Sequence, residues 1–363
     1  MTPAHLSAAV GAAIRSAVDD GELPLPAAGP HCETADLVPV DGDRPGAPDA
    51  DYLSPAPLRL AAAAGRAPAD VAPVLASRLR RLPDLAGVLD DVTVTAHGHC
   101  ALRLRPDARA AILAAVVTTG PAYAHSRTLD GASATAARAG NLARAADLDQ
   151  ARRWLVAEVT GALTEAAGGH VTWTGPEVVD TVPGRESPVA ALLAAAGTGG
   201  ARYALLSTAP GATLDTAHWA RAHTSNPAYA VRYAHAHAAG LLRQAADLGL
   251  TPGRPEDLRG DLISAPAERA LITAIADLPR RIALAARPSG RTPAAAEAGR
   301  PELVARYLDG IAGAYLGWQG TVLPRGDEKP GVAHVARLWL AAGVRTALAA
   351  GLELLGVPAP ARM

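Results

Sequence analysis

The sequence predicts an α+β multidomain chain that is mostly helical. It divides into an α+β amino-terminal module (residues 1–115), a short α/β segment (116–200) and a helical bundle (201–363). Three observations carry this. Of the 363 residues, 49% are hydrophobic, Phe is absent and alanine fills many apolar positions, which favours helix. Apolar residues recur at three- and four-residue steps through most of the chain. A two-residue alternation occurs near residues 92–104, with a lone short β pattern at 170–173.

The first helix spans 2–23, with Thr2 as cap, Pro3 in the first turn and Leu6, Val10, Ile14 and Val18 on one face. A Pro-, Gly- and Asp-rich loop follows over 24–50. Helices are predicted from Tyr52 to Gly65 and from Ala69 to Leu82. A hairpin pairs Val92–Thr95 with Ala101–Leu104, and Asp107 to Val117 returns to helix. In the middle segment Leu148–Ala167 reads as a helix with Trp154, Val156, Val159 and Leu163 on its apolar side. His170–Trp173 reads as a strand and Pro188–Ala196 as a small helix. Beyond Tyr203, Asn226-Pro227 is a capped helix start with Tyr229, Tyr233 and His237 on one face. A helix from Pro301 sets Leu303, Tyr307, Ile311, Tyr315 and Trp318 on one side. The last helix runs from about Val332 to Leu355, with Gly356 as its end signal and Pro358 beyond.

Charge and composition narrow the function classes. The net charge is −1, but residues 1–115 carry −4, 116–200 carry −2 and 201–363 carry +5. The basic half is therefore the helical one, as polyanion binding would require. The chain has 33 arginines and a single lysine, Lys329, so a mechanism that needs lysine elsewhere has none. The amino-terminal segment lacks a signal-peptide pattern, and no run of about 18 uninterrupted apolar residues suggests a membrane span. Two cysteines, Cys32 and Cys100, make no disulfide framework, and the expectation is a soluble cytoplasmic protein. His97, His99 and Cys100 do not suit a metal, because His97 and His99 would share one strand face while Cys100 points away. Gly197-Thr198-Gly199-Gly200 reads as a helix-linking turn, since no clear strand precedes it and no lysine follows. No cofactor, metal or membrane is expected.

Several segments resemble arginyl-tRNA synthetases. Asn226-Pro227-Ala228-Tyr229-Ala230-Val231-Arg232-Tyr233-Ala234-His235-Ala236 is similar to the family's NPxxYVQYAHAR signature, with Arg232 in place of the glutamine and His237 in place of the arginine. Residues 351–363 resemble the family terminus LLGVxAPERM and stop at the same methionine, Met363. Val322–Glu328 is similar to the VLPxGDE loop, and Ala201–Leu206 to the ARYxLL helix. The region 201–363 thus resembles the DALR anticodon-binding domain. The first 115 residues resemble the family's tRNA-elbow-binding module, through Asp51–Ser54, Leu60–Arg66 and Gly98–Leu104. His99 and Ala101 replace the aromatic and asparagine with which family members read a tRNA loop base.

The resemblance implies a class I catalytic sheet that this chain is too short in the middle to contain. A βαβ crossover takes about 30 residues or more, and 116–200 holds 85. The HIGH tetrapeptide is missing, His97-Gly98-His99 being placed in a hairpin. The KMSKS loop would fall at Val179–Glu186, which has no lysine. The middle segment is therefore expected to be a remnant of a Rossmann-type core, and the chain is expected not to be an enzyme. The expected function is binding of tRNA or another structured RNA through Tyr229, Arg232, Tyr233, His237, Arg337, Trp339, Arg345, Arg362 and Met363. Aromatic rings at helical spacing are often core, yet single-stranded loops are also read by stacking on such rings with arginine on the phosphates. The alternative is a protein-interaction module that docks on a synthetase or biosynthetic enzyme without RNA; active arginine–tRNA ligation is the remaining reading.

Overall fold

The computed structural model describes residues 3–25, 37–40, 49–176, 187–209, 211–287 and 299–363. In chain order these form α1 (Pro3–Asp19), β1 (Val38–Pro39), β2 (Tyr52–Ser54), α2 (Ala56–Ala64), α3 (Pro68–Arg81), β3 (Leu89–Val94), β4 (Cys100–Leu104) and α4 (Pro106–Thr119). Then come β5 (Ser133–Ala137), α5 (Leu148–Ala166), β6 (His170–Thr174), α6 (Pro188–Ser207), α7 (Thr216–Trp219) and α8 (Pro227–Asp247). The chain ends with α9 (Pro266–Ala276), α10 (Leu278–Ala286), α11 (Pro301–Trp318) and α12 (Val332–Leu354). The chain is α+β and mostly helical, with two small sheets. Thr2, Cys32, the segment Val179–Glu186 and most of the predicted 24–50 loop lie outside the described residues.

Backbone proximity groups the chain into two units: Met1–Ala115 with Leu250–Asp277 and Pro324–Leu340, and Val116–Gly249 with Leu278–Leu323 and Ala341–Met363. In the first unit an antiparallel sheet in the order β1-β2-β4-β3 carries α3, against which α1 and α2 pack. Leu6, Ile14, Leu75, Leu79, Leu102 and Leu104 are fully buried between these layers. The predicted hairpin is present, with Val92 opposite Leu102 and Val94 opposite Cys100. Its turn closes through Gly98 N–H to Thr95 O at 2.9 Å, which leaves His97 exposed on a loop tip. Tyr52, expected to open a helix, instead opens β2 opposite Leu102. The cause is Pro55, which biases Ser54 towards extended backbone, so the helix begins only at Ala56.

Asp51 is buried beneath this sheet with Arg109. Asp51 Oδ2 accepts from the Leu104 amide at 2.6 Å and lies 3.3 Å from Arg109 Nη1, which also donates to Leu104 O at 2.6 Å. Burial pushes the Asp51 carboxyl up, and the Leu104 amide and the Arg109 guanidinium oppose it. The later segment of this unit is tied in by ions: Arg269 pairs with Asp49, and Glu268 accepts from Arg337 Nε at 3.0 Å. Gly260 lies so close to Pro106 that a Cβ there would sit 1.9 Å from the Pro106 carbonyl oxygen.

In the second unit β5 and β6 run parallel, from Ser133 opposite His170 to Ala137 opposite Thr174, with α5 as the crossover. This is one βαβ unit, and it is the parallel sheet among the described residues. The six-membered ring of Trp173 lies against Gly161, where a Cβ would meet it at 2.6 Å, and Arg138 covers its other face at 3.8 Å. The buried side of α5 is centred on Leu155, Val159 and Leu163, while Trp154 and Val156 are only partly buried. The predicted small helix and the ARYxLL helix form α6, broken at Gly197 (φ 69°, ψ 167°), so the glycine run is a turn between helical stretches. Helices α6, α8 and α11 pack together. The core stripe of α11 is Val304, Leu308, Ile311 and Tyr315, one step round from the predicted Leu303 and Tyr307, which are partly exposed. Gly351 lets α12 approach Leu308, whose Cδ2 would lie 2.5 Å from a Cβ.

Two helices, α6 and α12, are long and apolar enough to cross a bilayer by length and composition, which corrects the expectation drawn from uninterrupted runs. The apolar stretch of α12 is 78% buried inside the fold, as a core helix would be.

Candidate nucleic-acid interface

The first residue of the NPxxY-like segment organises the start of α8. Asn226 Oδ1 accepts from the Ala228 amide at 3.1 Å, and its Nδ2 donates to the carbonyls of Trp219 and Arg221, each at 2.9 Å. Pro227 then occupies a first-turn position where no amide is needed. The side chain thus caps a helix and folds the preceding loop.

Beyond this cap an aromatic row runs from the surface into the core. Tyr229 and Tyr233 stack with centroids 5.7 Å apart and planes 8° from parallel. Tyr233 meets His237 at 5.8 Å, His237 meets Tyr315 at 5.9 Å, and Tyr315 meets Trp318 at 6.3 Å. Tyr315 is fully buried and its hydroxyl lies 2.9 Å from His237 Nδ1. Burial lowers the His237 imidazole pKa and raises that of the Tyr315 phenol, so His237 accepts the phenolic hydrogen. The outer rings, Tyr229 and Tyr233, are partly exposed. A row anchored in the core and open at its outer end presents rigid ring faces at low ordering cost.

Arginines lie beside the open end and further along α8, towards the chain terminus. Arg232 lies three residues after Tyr229, hence beside it on the helix surface, and its Nε is buried without a hydrogen-bond partner. Arg243, about three turns beyond Arg232 and on its side of α8, donates to Ala361 O at 3.1 Å. His235 Nδ1 lies 2.9 Å from Pro360 O, so it carries the hydrogen and donates. Burial, helped by Arg345, holds the His235 pKa below the ordinary imidazole value. Arg202 donates to Leu355 O at 3.3 Å and to Glu158 Oε1 at 2.6 Å, covering the end of α12. Its guanidinium lies where any Cβ at Gly356 would be, 2.3 Å away, and Gly356 also has φ +65°. The tail is thereby strapped to α8, with Arg362 and Met363 exposed.

The nine expected contact residues therefore separate. Tyr229, Arg232, Tyr233, His237, Arg345, Arg362 and Met363 belong to one unit, and Arg345, Arg362 and Met363 are exposed. Arg337 and Trp339 belong to the other unit. Arg337 is engaged by the buried carboxylate of Glu268, and Trp339, 4% exposed, has no ring face free for a base. Sequence reading did not single out Arg202, His235 or Arg243, and took Gly356 only as a helix end signal. Ala101, at the elbow-reading position, is 1% exposed against Val40 and Ala50.

The start of α5 has the opposite character. Asp147 Oδ1 accepts from the Gln150 amide at 2.7 Å, and Asp149 Oδ1 receives Arg152 Nη1 at 2.6 Å and the Gly211 amide at 3.2 Å. A phosphate approaching this helix start would meet two carboxylates.

Comparison with known proteins agrees with this geometry. Residues 231–363 match the model of the DALR anticodon binding domain. The Thermus thermophilus arginyl-tRNA synthetase superposes with a TM-score of 0.68 at 13% identity, covering 100% of each chain. The chain is arginyl-tRNA-synthetase-like in fold. A candidate arginyl-tRNA synthetase from Campylobacter jejuni aligns at 16% identity over 59% of this chain and 44% of that one, with a TM-score of 0.36. In this synthetase-like chain the signature residues of α8 build the aromatic row, while Arg202 of the ARYxLL-like helix holds the terminal segment in place.

Proposed function

We propose that this protein is a non-catalytic, tRNA-binding relative of arginyl-tRNA synthetases, which grips tRNA or another structured RNA through α8 and the strapped carboxy-terminal tail. The observation that carries this reading is the partly exposed Tyr229–Tyr233 stack, fixed from below by His237 and Tyr315 and flanked by Arg232. Arg345 and Arg362 are exposed on the same unit. Rings supply sequence-tolerant stacking and arginines supply phosphate neutralisation, the pairing that single-stranded loops require.

The non-catalytic part is supported by the βαβ crossover. Parallel α/β sheets bind nucleotides beyond the carboxyl ends of their strands, with phosphate at the following helix start. Here that start is α5, closed by Asp147 and guarded by Asp149. The sole lysine, Lys329, is exposed in the loop before α12, in the other unit.

Binding of total tRNA in a gel-shift titration tests the first part. Affinity should fall steeply as salt rises, because each phosphate contact releases about one counterion. Absence of any shift at low salt refutes RNA binding and leaves the protein-docking reading. Arginine-dependent ATP–pyrophosphate exchange, with tRNA present, tests the second part, and measurable turnover refutes it.

A further inference from the structure

The position of Arg232 goes one step further than general RNA affinity. Among the described residues its guanidinium takes part in no hydrogen bond or ion pair, and its Nε is buried. This contrasts with the neighbouring arginines: Arg202 is paired with Glu158, Arg152 with Asp149, and Arg243 with a carbonyl. The Nη donors are thus committed to no protein acceptor, so a ligand that supplies acceptors displaces no internal bond. Side chains on a helix lean towards its amino terminus, which carries Arg232 back over the turn that holds Tyr229. A base stacked on the outer face of Tyr229 would then present its edge to the Arg232 fork.

Resting on the RNA-binding reading above, we propose that Arg232 makes this interface selective for an unpaired guanine stacked on the Tyr229–Tyr233 pair. Arginine offers donors only, in a rigid planar fork. Guanine O6 and N7 are two adjacent acceptors with no donor between them, the pattern the fork fits with two hydrogen bonds. Adenine presents a donor beside N7 and forfeits one of them. The glutamine that stands at this position in the signature the segment resembles carries both a donor and an acceptor, so Arg232 narrows the choice.

The test is fluorescence anisotropy of the full chain with seven-nucleotide unstructured RNAs that differ at one central position. Guanine should bind about tenfold more tightly than adenine, and 7-deazaguanine should lose about fivefold relative to guanine. Arg232→Lys should keep most of the affinity and weaken the guanine preference, since its point charge still donates to O6 and N7 without the planar fork; Arg232→Gln should lose the preference, with an unchanged melting temperature showing that both variants fold. Equal binding of all four RNAs by the wild-type chain overturns the guanine assignment and leaves RNA binding standing. A guanine preference that survives Arg232→Gln also overturns it. No binding of any RNA or of tRNA overturns the functional reading and this inference together.

Discussion

Helices α5 and α8 both open on a side-chain cap of equal intrinsic quality, yet they suit opposite partners. Asp147 caps α5 with a charged oxygen, and Asp149 adds a second carboxylate in the first turn. Asn226 caps α8 with a neutral oxygen, uses its amide hydrogens on two loop carbonyls, and is followed by rings and an arginine rather than acids. Capping strength ranks Asn and Asp together, so stability does not explain the difference. The sign of charge at the helix start does: one end repels phosphate and the other tolerates it.

Exchanging the caps gives the largest expected effect. Asn226→Asp keeps the capping oxygen, loses both donors and buries a charge at a site 3% exposed, which should cost about 3 kcal/mol in thermal or urea unfolding. Asp147→Asn keeps its cap and should change stability by less than about 0.5 kcal/mol. Equal effects of the two would show that the carbonyl contacts of Asn226 are not what fixes the loop.

Next in size is the interface itself. Tyr233→Ala with Arg345→Glu should weaken tRNA binding about 100-fold, combining loss of one stacking ring with one reversed charge. The variant should melt close to wild type, because Arg345 is exposed and Tyr233 partly so. Unchanged tRNA affinity in a folded variant would place the RNA elsewhere.

The difference between these regions was partly legible in the sequence. The start of α8 announced itself, because Asn-Pro is a local signal and rings at four-residue steps share a face whatever surrounds them. The hairpin, α5 and β6 were visible for the same local reason. β5 was not, since Ser133-Ala134-Thr135-Ala136-Ala137 has small side chains and almost no β-branched or aromatic residues, and it becomes a strand only by pairing with β6. Nor could spacing sort the arginines. Arg202 and Arg337 find carboxylates brought near by folding, whereas Arg345 and Arg362 remain exposed. Trp339 failed similarly: its spacing suited either a surface or a core, and the packing of α12 chose the core.

A smaller effect tests the floor beneath the interface. The Tyr203 hydroxyl lies 2.6 Å from Asp309 Oδ1 and 2.8 Å from Ala305 O, and it has one hydrogen to give. Burial pushes the Asp309 carboxyl up, and the hydrogen bond from the Tyr203 hydroxyl opposes that shift. Because the folded pKa is raised, this group's stabilisation is full below the unfolded value of 3.8 and is lost as pH climbs through the folded value. Asp309→Asn should therefore gain on wild type in melting temperature as pH rises above 3.8 through the raised folded value. A wild-type advantage that grows with pH would contradict this direction.

The smallest effect expected is local to the tail. His235 is held neutral by burial, so its contribution is present above the ordinary imidazole pKa of 6.5 and fades as pH falls through its lowered folded value. Arg243→Ala removes the neighbouring bond to Ala361 and should shift global stability by less than about 1 kcal/mol. Hydrogen exchange of the amides in 357–363 should nevertheless speed up in that variant, and in wild type on acidification, while the amides of α5 stay protected. The contrast matters for RNA: a tail that frays carries Arg362 away from α8, so tRNA affinity should weaken in Arg243→Ala although Arg362 itself is unaltered. If exchange in the tail does not respond to either change, the strap is not what holds Arg362 in place.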